Sequence, residues 1–516
     1  MIQPRIKYGA ESCGVTSEEI DMTIVEMLER NARLFPEKTA IIYENTRIPY
    51  KTFYDRANAL ANFLIAMGVK KGDRVGIALM KTPEVIISFL GIASAGGIVF
   101  PIDYNQTIES IKIILNQTKP TAVIADERFQ DIFTHFQDYC SDEKTIVIGS
   151  RTTDRRHSWD EVCAQNSPHS PCVEIQDSDI VYLNFTSGST GRPKGAITTH
   201  SNIYWNTLSA VENLGLTKDD NHLCMFPVFS HPHELFARPL FLGGTIVLID
   251  SIYPKSIATV ISEHRVTCMM AVASIYDTLA RLSESSSFDL SSLRIPESGG
   301  MHTNPTLAQK FKERFKVPII PVWGSTETSG IALVTPVDGE YRPGSMGKPS
   351  RYYQVKVVGN NGNELPADEI GEMAIKGPGV CSGYYNQREE TEIYMQDGWF
   401  LTGDMVRVDR EGYYYFASRK NGMMKVAGLK VFPTEIEDLL IEHPKIKAVA
   451  VVKAQDPSHG EVPKAVIVVK DGMEVSKGEI RRYCEEKMSK YKVPRIIEFR
   501  SELPKTPGGK ILYRAL

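Results

Sequence analysis

The sequence has no CxxC pair. Its eight cysteines stand singly at positions 13, 140, 163, 172, 224, 268, 381 and 484, a spacing that gives neither a zinc knuckle nor a thioredoxin-type redox pair. They read as free thiols of a reducing cytosol. Basic charge is not in excess either. The 59 Lys and Arg against 63 Asp and Glu leave a net charge of −4, so the broad basic footprint of a nucleic-acid binder is missing. Met1 to Gly14 lacks the apolar h-region of a secretory signal. One run without charge, Val85 to Ile102, reaches the length of a membrane span, but Gly91, Gly96, Gly97 and Pro101 interrupt it. It reads as a buried helix to about Ala95, a Gly-Gly turn and a buried strand from Ile98. No internal repeat or low-complexity tract occurs. These absences point to a cytoplasmic globular chain without an integral membrane segment.

What is present is a regular alternation. At 516 residues the chain is too long for one ordinary core. Short β-rich runs begin at Thr39, Arg74, Ile98, Thr121 and Thr145, and again at Ile180, His222, Thr245, Cys268 and Pro318. Between the first two, Phe53, Ala57, Leu60, Leu64 and Met67 share one helical face, and Gly68 follows as a left-handed cap. This order predicts an α/β fold with substantial parallel sheet. Near residue 340 Gly, Pro and Tyr become dense and the pattern turns to short antiparallel pieces. After Lys420, Thr434 with Glu437 and Ser476 with Glu479 look like capping boxes of two helices, with strands between them. The expected division is a large multi-subdomain α/β body, residues 1–419, with a small β-rich subdomain, and a small mobile α+β lid, residues 420–516.

The most informative segment is TSGSTGRPKG, Thr186 to Gly195. It holds four small hydroxyl residues, three glycines and two cations. Glycines let backbone N–H groups wrap an anion, and Lys194 adds a mobile charge suited to phosphate. It is not a Walker A loop, because Lys194 is followed by glycine rather than by Ser or Thr opening a helix. His231, His233 and Glu234 lie close together, but Pro232 and the lack of further ligands argue against a metal there.

This loop resembles the phosphate-loop signature of the adenylate-forming superfamily, which contains acyl-CoA synthetases, carrier-protein adenylation domains and beetle luciferases. The resemblance spans nearly the whole chain. It includes Gly72–Val75, Leu90–Asp103, Ser298–Met301, Trp323–Glu327, Gly398–Asp404, Arg419–Asn421, Pro433–Glu437 and Leu503–Lys510. It implies the acyl-CoA synthetase branch. A carboxylic acid and ATP would give acyl-AMP and pyrophosphate, and acyl-AMP and coenzyme A would then give acyl-CoA and AMP. Two anions must meet, so charge neutralisation and positioning are the catalytic problem.

The same resemblance places the residues. Thr186, Ser187, Gly188, Ser189, Thr190, Gly191 and Lys194 would hold the β- and γ-phosphates. Glu327 would bind Mg²⁺, with Thr326 on the α-phosphate. Trp323, flanked by Val322, Gly324 and Ser325, would lie against the adenine, with Gly299, Gly300 and Met301 leaving room for the base. Asp404 would accept from both ribose hydroxyls, with Arg419 beside it. Lys510 would bridge the acyl carboxylate and the α-phosphate in the transition state. The lid would pivot at Asn421, where relatives carry Asp or Lys, and Ser418 replaces a glycine. Lys425 and Gly428 would line the coenzyme A channel.

The acyl pocket is expected from Phe229, His231, His233, Ser298, Gly324, Thr328 and Ile331. Ser230 stands where relatives often carry His. Acetate- and propionate-specific relatives carry a second Trp at the position of Gly324. A hydrogen there leaves open space, so a monocarboxylic acid larger than propionate is expected, aromatic or medium-chain. Two other readings stay open. The acyl group could pass to a carrier protein's pantetheine, or the chain could be a non-catalytic nucleotide-binding protein. The latter expects Lys510, Glu327 or Asp404 to be absent, and all are present. A luciferase-type oxygenase is a weaker third. The partners are the acid, ATP and coenzyme A, and a homodimer is left open.

Overall fold

A computed structural model describes residues 22–129, 138–149, 156–187, 193–282, 288–339, 342–426, 429–456, 460–505 and 511–516. Three sheets organise them. The first has seven strands and is parallel through Thr145–Ile148, Ala122–Asp126, Arg74–Ala78, Ile98–Pro101 and Ile180–Ser187. The uncharged run divides as expected: helix Pro83–Ser94, a turn at Gly96 with φ +73°, then strand Ile98–Pro101. Helix Tyr50–Ala66 buries Phe53, Ala57, Leu60 and Leu64. It packs so close to helix Pro83–Ser94 that a Cβ on Gly91 would lie 2.9 Å from the Ala57 carbonyl oxygen.

The seven-stranded sheet ends in an antiparallel hairpin. Strand Pro193–Thr199 folds back on Ile180–Ser187, pairing Thr186 with Lys194 and Ser187 with Pro193. Thr186, Lys194 and Gly195 of the glycine-rich segment therefore belong to the arms of this hairpin.

The second sheet has fourteen strands and changes character along its width. Thr39–Tyr43, Thr245–Leu248, Asn221–Cys224, Cys268–Ala271, Ile295–Ser298 and Ile320–Ser325 run parallel. From Gly330–Val334 onward, through Ser345–Pro349, Tyr414–Arg419, Trp399–Val408, Gly371–Lys376 and Gln354–Val358, neighbours are antiparallel. The change falls at residue 330, before the compositional shift near 340.

The third sheet begins at strand Met424–Val426 and has five strands, with helices Pro433–Ile441 and Lys477–Lys487. Ser476 caps the second helix, accepting from the Glu479 amide at 3.1 Å. The first cap is not the expected one. Pro433 is the first helical residue, and Glu435 reaches back to the Phe432 amide at 3.1 Å. Proline has no N–H to satisfy and its φ suits that position, so the helix starts two residues earlier. Glu437 instead accepts from the Val451 amide at 2.7 Å.

Candidate active site

The turn at which the large sheet changes from parallel to antiparallel is the centre of the site. Thr326–Thr328 forms a single 3-10 turn between strands Ile320–Ser325 and Gly330–Val334. The Thr328 hydroxyl closes it, accepting from the Ser325 amide at 2.9 Å and donating to the Gly330 carbonyl at 2.7 Å. Thr326 and Glu327 are thereby fixed at the carboxyl end of the parallel strands, where open α/β sheets bind ligands.

The two strands approach very closely here. A Cβ on Gly324 would lie 2.3 Å from the Gly330 carbonyl oxygen. The space expected beside Gly324 is thus filled by backbone. The glycine permits the strand crossing.

Asp404 and Arg419 face each other across adjacent strands. The Trp323 indole N–H donates to Asp404 Oδ2 at 2.9 Å, and Arg419 Nη1 lies 2.9 Å from Oδ1. Asp404 is only 2% exposed. Burial raises its pKa, against the lowering effects of Arg419 and the Trp323 hydrogen bond. A carboxylate has about four lone-pair positions, so capacity for further donors remains. Glu327 Oε1 accepts from the Tyr384 hydroxyl at 2.8 Å, and its charge is felt at Asp404. Trp323, Asp404, Arg419 and Glu327, the residues expected around the nucleotide, therefore form one cluster. Gly299 lies against Val322, whose Cγ2 would be 3.0 Å from a Cβ there, and Gly300 takes φ +74°. Met301 follows it.

Lys194 departs from the expectation of a mobile cation. It is 4% exposed, its Nζ lies 2.5 Å from Glu390 Oε2, and it sits 4.2 Å from the Tyr394 ring centre. Its charge is already neutralised, so it ties the hairpin arm to helix Arg388–Tyr394. Sequence reading missed Tyr384, Glu390 and Tyr394, because no local motif marks them.

Of the acyl-pocket residues, Phe229 packs edge-on to Tyr104 at 5.9 Å and His231 edge-on to Phe226 at 6.2 Å. The rest are committed to the wall. His233 uses its two ring nitrogens on the Tyr182 hydroxyl, 2.6 Å, and the Ser329 carbonyl, 2.9 Å, which leaves no lone pair for a metal. Ser298 accepts from Thr303 at 2.8 Å. Thr328 and Ile331 are buried. These four support the site from behind.

In the third sheet the Lys425 amide donates to Glu461 at 2.7 Å, and Asn421 is exposed in the turn after Arg419. Gly188, Ser189, Thr190, Gly191, Gly428 and Lys510 lie outside the described residues, as does the Ser187 side chain. Among the described residues no helix is long and apolar enough to cross a membrane.

Comparison with known proteins gives the class. The AMP-binding enzyme family matches residues 28–385, and the AMP-binding enzyme C-terminal domain matches residues 435–510. A feruloyl-CoA synthase of Amycolatopsis sp is 31% identical over 94% of this chain and 96% of its own. A long-chain-fatty-acid–CoA ligase of Bacillus subtilis is 31% identical over 96% and 94%. The crystal structure of an anthranilate CoA ligase with anthranoyl-AMP superposes with a TM-score of 0.89, at 30% identity and 95% coverage of both chains. An o-succinylbenzoate coenzyme A synthetase from Bacillus subtilis, in complex with ATP and magnesium ion, gives 0.84 at 26% identity, covering 95% and 98%. The chain belongs to the AMP-binding enzyme family, in the acyl-CoA synthetase branch of the adenylate-forming enzymes. It is an AMP-forming acid–thiol ligase, with a carboxylic acid, ATP and coenzyme A as substrates.

Proposed function

We propose that the acid is a monocarboxylic acid larger than propionate, aromatic or medium-chain. The single carboxylate is supported by the balance of charge beside the site, and the size by the apolar surface next to it. Arg238 Nη1 lies 2.7 Å from Glu297 and Nη2 lies 3.3 Å from Glu234. One cation is met by two carboxylates, so a second carboxylate on the substrate would find repulsion there. Phe229, Phe226 and Met270 offer partly exposed apolar surface nearby, and each buried methylene is worth up to about 0.8 kcal/mol.

In this reading Trp323 lies against the adenine and Asp404 accepts from the ribose hydroxyls. Thr326 contacts the α-phosphate, and the glycine-rich segment holds the outer phosphates. Glu327 fits Mg²⁺, since one carboxylate with phosphate oxygens is the ion's common setting and Tyr384 occupies only one of its oxygens. Bound there, Mg²⁺ would neutralise phosphate charge as the carboxylate approaches. Lys510 bridges the reacting groups in one lid orientation, and Lys425 and Gly428 line the thiol channel in the other. The body ends at Arg419 and the lid begins at Lys420, with Asn421 as pivot. The large sheet ends at Arg419 and the lid sheet starts at Met424, with an exposed turn between them. The test is pyrophosphate release across acetate, butyrate, hexanoate, octanoate and benzoate, with and without coenzyme A. A preference for acetate would refute the size assignment. Turnover only with a phosphopantetheinylated carrier protein would refute coenzyme A as acceptor.

A further inference from the structure

Behind the site lies a cavity of about 20 Å³, lined by the parallel strands and the helix Ala237–Leu242. That is room for one water-sized group. Its lining is polar for so deep a place, with His222, Glu234, Arg238 and Glu297 among its walls. Two of their atoms are buried without a hydrogen-bond partner, His222 Nε2 and Arg238 Nη2. Arg238 Nη2 has only its 3.3 Å ion-pair contact with Glu234. Such atoms are costly unless something pairs with them.

Register shows how the cavity connects to the site. His222 is level with Cys268, and Met270 with Glu297. Side chains two apart on a strand share a face, so Cys268, Met270 and Glu297 all look into the cavity. His222 lies deepest, while Met270 and Glu297 lie nearer the carboxyl ends of the strands. Gly299 continues the ladder, its amide donating to the Ala271 carbonyl at 3.1 Å. It is two residues beyond Glu297 on the same face, and a Cβ there would sit 3.7 Å from Met270 Sδ. The cavity meets the site through Phe226 and Met270, which line it and are both partly exposed, Phe226 packing on His231 at 6.2 Å. At about 3.3 Å per residue, Glu297 is roughly 7 Å below Gly299 and the level of His222 roughly 13 Å.

We propose that this cavity is the blind end of the acyl pocket and that it selects acids carrying a hydroxyl at the end remote from the carboxyl group. A hydroxyl both accepts and donates. It would accept from Arg238 Nη2 and donate to His222 Nε2 or to a carboxylate, which pairs both orphaned atoms with one group. A methyl would leave both unpaired. Burial keeps the His222 imidazole neutral by pulling its pKa down to about 3, and pushes Glu297 up to about 7. This inference rests on the acyl-CoA synthetase reading and narrows its substrate.

The experiment compares isosteric pairs on the intact enzyme: 4-hydroxycinnamate with 4-methylcinnamate, and 8-hydroxyoctanoate with nonanoate. The ratio of kcat/KM within a pair is independent of how much enzyme is folded. We expect the wild type to favour the hydroxyl member of the better pair at least ~10-fold, since sites built to hydrogen-bond a substrate hydroxyl reject analogues lacking it by up to ~10⁴–10⁵. His222→Leu should bring that ratio to unity or below. A wild type that treats the pairs alike or prefers methyl, as a cavity that merely holds structural water would, overturns the proposal. So does a hydroxyl preference that survives His222→Leu. If no acid of any kind releases pyrophosphate, the underlying activity fails, and that result is distinct from a flat ratio among active acids.

Discussion

Trp323→Phe isolates one contact of the candidate site. It keeps an aromatic face at this position and removes the N–H that donates to Asp404 at 2.9 Å. Hydrogen bonds to charged groups contribute about 1.5–3 kcal/mol, and Asp404, at 2% exposure, cannot recover the loss from bulk water. Arg419 remains, but its side chain is 68% exposed and its help is screened. The apo enzyme should therefore lose about 1–3 °C in Tm near neutral pH. The pH dependence identifies the cause. Asp404 already has a raised folded-state pKa, with burial the largest contribution and Trp323 opposing it. A carboxyl whose pKa is raised on folding costs stability above its unfolded pKa, and the cost disappears as pH falls through the folded value. Trp323→Phe raises that folded value further. The variant's deficit should thus be largest near pH 7 and shrink on acidification between the folded and unfolded pKa values. Thermal unfolding at closely spaced pH values reads this directly. A deficit that stays constant with pH would mean that packing, not the Asp404 hydrogen bond, was lost, and would refute the argument.

Lys510→Ala should abolish acyl-AMP formation, by ~10²–10³ or more, while largely sparing thioester formation from preformed acyl-AMP. Equal loss in both half-reactions would refute the two-orientation assignment. Lys194→Met should act mainly on stability, because it leaves Glu390 without its cation and removes the charge that lies over the Tyr384 and Tyr394 rings; a normal Tm with a selective rise in KM for ATP would show a phosphate role instead. Gly324→Ala should destabilise by about 1–3 kcal/mol through its contact with the Gly330 backbone, measured by thermal unfolding with circular dichroism. An unchanged Tm with a shift toward short acids would show open space after all.

How far the sequence could be read depends on whether a feature is local. Helix Tyr50–Ala66 and the divided run before Ile102 were legible because periodicity and glycine placement act within a few residues. The meeting of Trp323, Glu327, Asp404 and Arg419 was foreseeable for another reason: each sits in a distinctive local motif, and the large sheet only had to bring the motifs together. Gly324 was misread because a glycine in a strand signals either open space or close backbone approach, and only the position of Gly330 decides between them. That Lys194 is held by Glu390 and Tyr394 could not be read locally, since these partners lie almost two hundred residues away. Arg238 and Glu297 were invisible as a pair. They stand in unrelated segments, Arg238 in a six-residue helix and Glu297 in a four-residue strand, and neither segment has a motif. Their meeting 2.7 Å apart is set by how that helix packs on the parallel strands.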